Sequence, residues 1–181
     1  MSAAKRRPSG RARNWSWNRL ADAAARDLVA ASDLRPGVLV LDLGAGDGAI
    51  TRHLVDARAR VVAFELHPER AAALSNRFAS EPVTVVRADV RDLRLPTRPF
   101  RVVANPPFRG INAVIVRLTH RASRLERADL LVPRSVARVW SSRLDGTPFR
   151  MERAVAVPRS SFHPRPRIDV VHATIVRRSC R

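Results

Sequence analysis

The chain of 181 residues holds one cysteine, Cys180, and one lysine. A lone thiol excludes any internal disulfide. No apolar run approaches the roughly 18–20 residues that a membrane-spanning helix needs. The first residues, Met1-Ser2-Ala3-Ala4-Lys5-Arg6-Arg7, are basic with no apolar stretch behind them. Their arginines therefore do not read as an export signal, and a cytoplasmic setting is expected. Metal-ligand patterns are missing too: His53 and His67 fall on or beside expected helices, Cys180 is a tail thiol, and none has partners at ligand spacing. Carboxylates are scarce, 16 against 34 basic side chains, for a net charge of +18.

That charge is unevenly placed. Residues 1–19 carry six basic and no acidic side chains, residues 20–100 eleven of each, and residues 101–181 seventeen basic against five acidic. Self-repulsion on this scale disfavours a compact domain unless a polyanion offsets it. A surface with no partner has little reason to divide in this way, so nucleic acid is the expected partner. Arginine forks suit bidentate phosphate contacts. With 45% hydrophobic residues the chain is nevertheless a globular one with a core to bury.

Periodicity divides the chain into a basic arm at residues 1–13, a domain at 14–178 and a tail at 179–181, with no internal repeat and no second domain. Helical spacing is expected over 20–31, closed by Pro36-Gly37. Strand-like runs follow at 38–41, 60–65, 83–86, 100–104 and 128–132, alternating with helices at 49–57, 68–78, 111–120 and 134–144. Two late strands, 150–157 and 169–176, are expected to pair antiparallel. This order predicts an α/β fold with a doubly wound, mainly parallel, Rossmann-like sheet and a C-terminal antiparallel hairpin.

In open α/β sheets ligands bind beyond the carboxyl ends of the strands. The residues there are Asp42/Gly44/Gly46, Glu65, Asp89 and Asn105. Gly44 and Gly46 allow a sharp turn and close backbone approach. Glu65 is placed to accept both hydroxyls of a ribose, and Asp89 to accept from an adenine amino group. A glycine-rich turn alone fits a dinucleotide equally well. Asp42 and Asp47 beside the glycines would repel a pyrophosphate but accept an ammonium group, which favours S-adenosyl-L-methionine as cofactor.

The fourth strand runs into Asn105-Pro106-Pro107-Phe108. Methylating an exocyclic amine requires freeing a lone pair that is delocalised into the ring. Two acceptors on the two N–H bonds, the Asn105 Oδ1 and the Pro106 carbonyl, would draw the nitrogen toward tetrahedral geometry. The prolines stiffen the turn, and Phe108 would stack on an unstacked purine, worth ~1–3 kcal/mol. No strong base is required, because the proton can leave after transfer. Taken alone, the tetrapeptide is also compatible with a plain turn after a strand.

These residues resemble the ribosomal RNA adenine-N6 dimethylase superfamily, and within it the erythromycin-resistance 23S rRNA methyltransferases. The likeness runs from Asn18-Arg19-Leu20 through the segment from Asp42 to Thr51, then Glu65, Asp89 and the tetrapeptide. It ends in Phe162-His163-Pro164-Arg165-Pro166-Arg167-Ile168-Asp169, which resembles the late F-x-P-x-P-x-V-D signature. The resemblance implies that Asn18, Leu20, Gly44, Glu65, Asp89 and Asn105 contact S-adenosylmethionine. It also implies that an adenine in the macrolide-binding region of 23S rRNA is methylated, once or twice, giving macrolide-type resistance. A monomer acting before full ribosome assembly is expected. Two departures stand out. Trp17 and Arg19 replace the usual Gln and Phe of the leading motif, and the likeness stops before the family's C-terminal helical domain, so a short form like those of mycobacteria and related actinomycetes is expected. RNA grip is then expected from the catalytic domain and the arm. Other amines (adenine in DNA, guanine N2, a protein glutamine) and a non-catalytic RNA-binding module stay open as alternatives.

Overall fold

The computed structural model describes residues 18–178. The arm at 1–13, Trp17 and Cys180 lie outside the described residues. Nine strands and five helices follow in the order β1 (Arg19–Leu20), α1 (Asp22–Ala30), β2 (Leu39–Leu43), α2 (Ala49–Asp56), β3 (Arg60–Phe64), α3 (Pro68–Arg77), β4 (Val83–Val86), β5 (Phe100–Ala104), α4 (Ile111–Leu118), β6 (Leu125–Pro133), α5 (Arg134–Arg143), β7 (Phe149–Val157), β8 (Phe162–His163) and β9 (Val170–Arg177). A 3-10 turn at Val90–Asp92 follows β4.

Seven strands form one sheet in the order β4-β3-β2-β5-β6-β9-β7. The first five are parallel; β9 inserts antiparallel between β6 and β7, so the expected hairpin closes the sheet. Continuous apolar runs such as Leu39-Val40-Leu41 form strands buried on both faces. One face of the sheet packs its side chains with α1, α2 and α3; Val40, Val61, Ala63 and Leu131 belong to that cluster. The other face packs Leu41, Phe100, Val102 and Leu130 with α4 and α5.

The chain winds outward from β2 through β3 and β4, then crosses back to β5 on the other side of β2. The topological switch point is therefore the crevice between the carboxyl ends of β2 and β5. Those ends carry Asp42 with its glycine loop, and Asn105. Among the described residues no helix is long and apolar enough to cross a membrane.

One boundary differs from the sequence expectation. Leu20, expected to begin the first helix, sits in β1 and pairs with Phe162 of β8. Helix α1 starts two residues later, at Asp22, with the acidic residue in its first turn. The pairing that captures Leu20 comes from far along the chain, which no local periodicity reports.

Candidate active site

The turn after β2 is built on Gly44, whose φ of +79° lies in the left-handed region. A Cβ added there would stand 3.0 Å from the Pro107 Cδ and 3.7 Å from the Pro106 Cα. The glycine loop and the Asn-Pro-Pro-Phe turn therefore meet backbone to ring across the crevice. Gly44→Ala combines a left-handed backbone, costing ~1–2 kcal/mol, with a contact against a rigid proline ring. We expect it to displace the tetrapeptide and lower turnover by about 10- to 100-fold. Steady-state methylation beside a thermal melt checks this, and turnover at the parent rate would count against the close approach.

The loop is tied to the end of β3. The N–H groups of Gly44 and Ala45 both donate to the Phe64 carbonyl, at 2.8 and 2.9 Å. Glu65, 4% exposed, accepts from the Gly46 N–H on Oε2 at 2.9 Å and from the His67 N–H on Oε1 at 2.7 Å. The Arg70 guanidinium stands 3.3 Å from the same Oε1. A carboxylate has about four acceptor positions; the Gly46 N–H takes one of those on Oε2. Arg70 is a neighbour that the sequence did not single out.

Asp42 is wholly buried and turned into the base of the loop. Its Oδ2 accepts from the Thr51 hydroxyl at 2.7 Å, which explains the threonine that closes the glycine motif. Its Oδ1 is buried with no partner. Burial pushes the carboxyl up to about 7; the Thr51 bond opposes this and the charge of Glu65 adds to it. A carboxyl raised on folding stays protonated in the fold while the unfolded chain ionises. Its contribution to stability therefore falls as pH rises from the ordinary 3.8 to about 7, and is constant above. Without cofactor, the stability difference between Asp42→Asn and the parent should move in the variant's favour across that range. Melts at several pH values test it; a difference flat with pH would refute the shift.

Asp89 follows β4 and caps the 3-10 turn. It accepts from the Arg91 N–H at 2.9 Å and from the Arg91 guanidinium, with a shortest contact of 2.6 Å. The Arg91 stem lies over Gly110, where a Cβ would come within 2.8 Å of its Cδ. Arg91 thus links the β4 end to the loop that carries the tetrapeptide. In a chain so rich in arginine, nothing in the sequence marks it.

Asn105, half-buried, follows β5 directly. Its Nδ2 donates to the Asn18 carbonyl at 2.8 Å, and no described donor reaches its Oδ1. One amide orientation is thereby selected, with the acceptor oxygen directed away from Asn18. Pro106 is buried, and Phe108 is half-buried against the cluster formed with α1 and α2. Asn18, Gly44, Pro106 and Asn105 are brought together at the switch point. Leu20 is 4% exposed, its side chain in the same cluster as Phe162. His53 on α2 is half-buried, with its Nε2 2.8 Å from Asp22 Oδ1. Among the described residues no group of His, Cys, Asp or Glu could hold a metal.

The sequence profile described as ribosomal RNA adenine dimethylase matches residues 20–180. The chain belongs to this family. A mycinamicin-resistance protein, MyrB, of Micromonospora griseorubida is 38% identical over 77% of this chain and 47% of its own length. Ribosomal RNA small subunit methyltransferase A of Thermosynechococcus vestitus is 32% identical over 83% of this chain and 63% of its own. The crystal structure of the 23S rRNA methyltransferase ErmE superposes with a TM-score of 0.75 at 29% identity, covering 87% of this chain and 68% of that one. The chain thus spans only about half to two thirds of the lengths of these relatives.

In this dimethylase-family chain the two halves of the site rim differ in how their charges are paired. The ends of β2, β3 and β4 carry Asp47, Glu65 and Asp89, each ion-paired with an arginine, Arg19, Arg70 and Arg91 in turn. The ends of β6 and β7 and the start of β9 meet at the same end of the sheet as Asn105, through Pro133, Val157 and Val170. Around them lie exposed Arg109, Arg134, Arg138, Arg165 and Arg167. Arg134 and Arg138 occupy the first turns of α5, which has no acidic residue there. Cations at a helix N-terminus and like charges four residues apart are each unfavourable by a few tenths of a kcal/mol. A polyanion laid across this rim removes both penalties.

Proposed function

We propose that this chain transfers a methyl group from S-adenosylmethionine to N6 of an adenine in ribosomal RNA, with 23S rRNA as the substrate. The observation that carries this reading is the Asn105 amide, held by the Asn18 carbonyl so that Oδ1 stays an unclaimed acceptor beside Pro106 at the switch point. The cofactor fits the other half of the crevice. Carboxylates line it, one buried Asp42 oxygen lacks a partner, and Gly44 leaves no side chain in the way. Asn18, Leu20, Asp42, Gly44, Gly46, Glu65, Asp89 and Asn105 are the residues that would hold it. When bound, the cofactor supplies an electrophilic methyl group on a sulfonium.

Asn105 Oδ1 and the Pro106 carbonyl accept the two N–H bonds of the adenine amine. This draws the nitrogen out of conjugation, and the stiff Pro106-Pro107 turn holds both acceptors in register. Phe108 offers a face to the extruded base. The arginine rim takes the flanking phosphates. The likeness to MyrB and ErmE supports 23S rRNA and macrolide-type resistance. The likeness to small subunit methyltransferases favours 16S rRNA as a second reading.

Labelled S-adenosylmethionine offered with naked 23S, naked 16S and assembled subunits separates the two, with primer extension to map the site and mass spectrometry to count methyl groups. Label on one 23S adenine, greater on naked RNA than on assembled subunits, is expected. Label on 16S alone moves the substrate to the small subunit. No label on any adenine with folded protein overturns the proposal.

A further inference from the structure

Residues 18–21 cross the mouth of the switch point, and each is fastened to a different part of the site. The Asn18 carbonyl accepts from the Asn105 amide at 2.8 Å. The Arg19 Nε donates to Asp47 Oδ2 at 2.5 Å, and Asp47 belongs to the glycine loop. Leu20 pairs with Phe162 and is buried beside it. The Ala21 N–H donates to the Ser161 carbonyl at 2.8 Å. Asp47 is itself held, because its own carbonyl accepts from the Arg77 guanidinium at 2.9 Å.

We infer that Arg19 is a positioning residue for Asn105: its ion pair with Asp47 holds the adjacent Asn18 carbonyl on the Asn105 amide and so keeps Oδ1 turned toward the target amine. This rests on the proposed role of Asn105. The physical need is specific. A side-chain amide flipped by 180° presents NH2 where the oxygen should be, which sets donor against donor at the adenine amine. Asn18 offers a backbone acceptor that only the correct orientation can use. The β1 and β8 pairing is only two residues long, Arg19 with His163 and Leu20 with Phe162, so Asn18 lies just beyond it and the Arg19 ion pair is the side-chain tie next to the Asn18 carbonyl. The same pairing gives the late 162–169 signature a place in this chain of contacts, since Phe162 seats Leu20 and Ser161 seats Ala21.

The ion pair is exposed, with 60% of the Arg19 side chain open to solvent, so the expected effect is moderate. Arg19→Met keeps the apolar stem and removes the charge. It should lower kcat about two- to fivefold at saturating cofactor and RNA. The KM values for both and the melting temperature should stay near those of the parent. Arg19→Lys should restore most of the loss. Raised salt should lower the parent toward the Arg19→Met rate, because screening weakens the exposed pair. In an Asn105→Asp background, whose carboxylate has no amide hydrogen for Asn18, Arg19→Met should cost nothing further. A kcat for Arg19→Met equal to the parent overturns the inference. So does a loss expressed only as a raised KM for the cofactor, which would place Arg19 in the cofactor pocket. If Asn105→Ala itself stays active, the proposed function falls. If Asn105→Ala is inactive while Arg19→Met runs at the parent rate, only the positioning role falls.

Discussion

Replacing Asn105 by alanine is expected to lower the rate of methyl transfer by about 10²–10³-fold, the scale seen when one preorganised polar group is removed from a reaction centre. The substitution deletes the acceptor aimed at the amine. It also orphans the Asn18 carbonyl, which otherwise takes the amide at 2.8 Å. RNA affinity should stay nearly unchanged, because the phosphate contacts proposed for Arg134, Arg138, Arg165 and Arg167 lie on α5 and on the segment before β9. Single-turnover rates set beside filter binding separate the two quantities. A variant that turns over at a tenth of the parent rate or better would refute the acceptor role. Glutamine at 105 retains the amide on a longer stem and is expected to recover little, since the Asn18 carbonyl is fixed in place.

The second large effect concerns stability and involves no residue of the crevice. Asp129, 1% exposed, sits in β6 and collects four donors. Arg127 reaches it through Nε at 2.7 Å and Nη2 at 3.1 Å, His172 of β9 lies at 2.8 Å, and the Thr174 hydroxyl donates at 2.9 Å. The same Arg127 also donates to the Ala31 carbonyl at the end of α1. Asp129→Ala leaves the half-buried Arg127 guanidinium with only the Ala31 carbonyl and the more distant Glu152, and the buried His172 ring without its partner, which costs about 3–5 kcal/mol. That is a large share of the ~5–15 kcal/mol that holds a typical domain together. A fall in melting temperature of roughly 10 °C is expected, measured by calorimetry or urea unfolding. A loss below about 1 kcal/mol would show that the network contributes little.

The network also has a pH signature. Burial pushes the Asp129 carboxyl up, but the hydrogen bonds from His172 and Arg127 outweigh it, so it lies below its ordinary 3.8. A lowered carboxyl stabilises the fold above the unfolded value and loses that contribution as pH falls through the folded one. The gap between the parent and Asp129→Ala should therefore narrow in acid, beginning below about 4.

Much of this molecule was legible from local pattern. The parallel strands read as continuous apolar runs because both their faces are covered, and the helices between them read by spacing. The expected segments at 49–57, 60–65, 68–78 and 83–86 differ from α2, β3, α3 and β4 by no more than a residue at either end. The strand expected at 128–132 is longer in the fold, running over Leu125–Pro133, because β9 pairs along it as far as Arg127. Leu20 departed from its expected helix for the same kind of reason: its partner, Phe162, is brought to it only by the finished sheet.

By itself the sequence determined the winding order, the placing of Asp42, Glu65, Asp89 and Asn105 at successive strand ends, and the charge imbalance, because each is a matter of residue type and local spacing. The tertiary structure alone decided how those residues are used. It turned Asp42 inward onto Thr51, gave Glu65 to the Gly46 and His67 amides, set Arg91 on Asp89, and oriented Asn105 by a backbone carbonyl 87 residues away. Hydrogen-bond partners of that kind are fixed by which strands become neighbours, and neighbours are a property of the folded sheet rather than of any window along the chain.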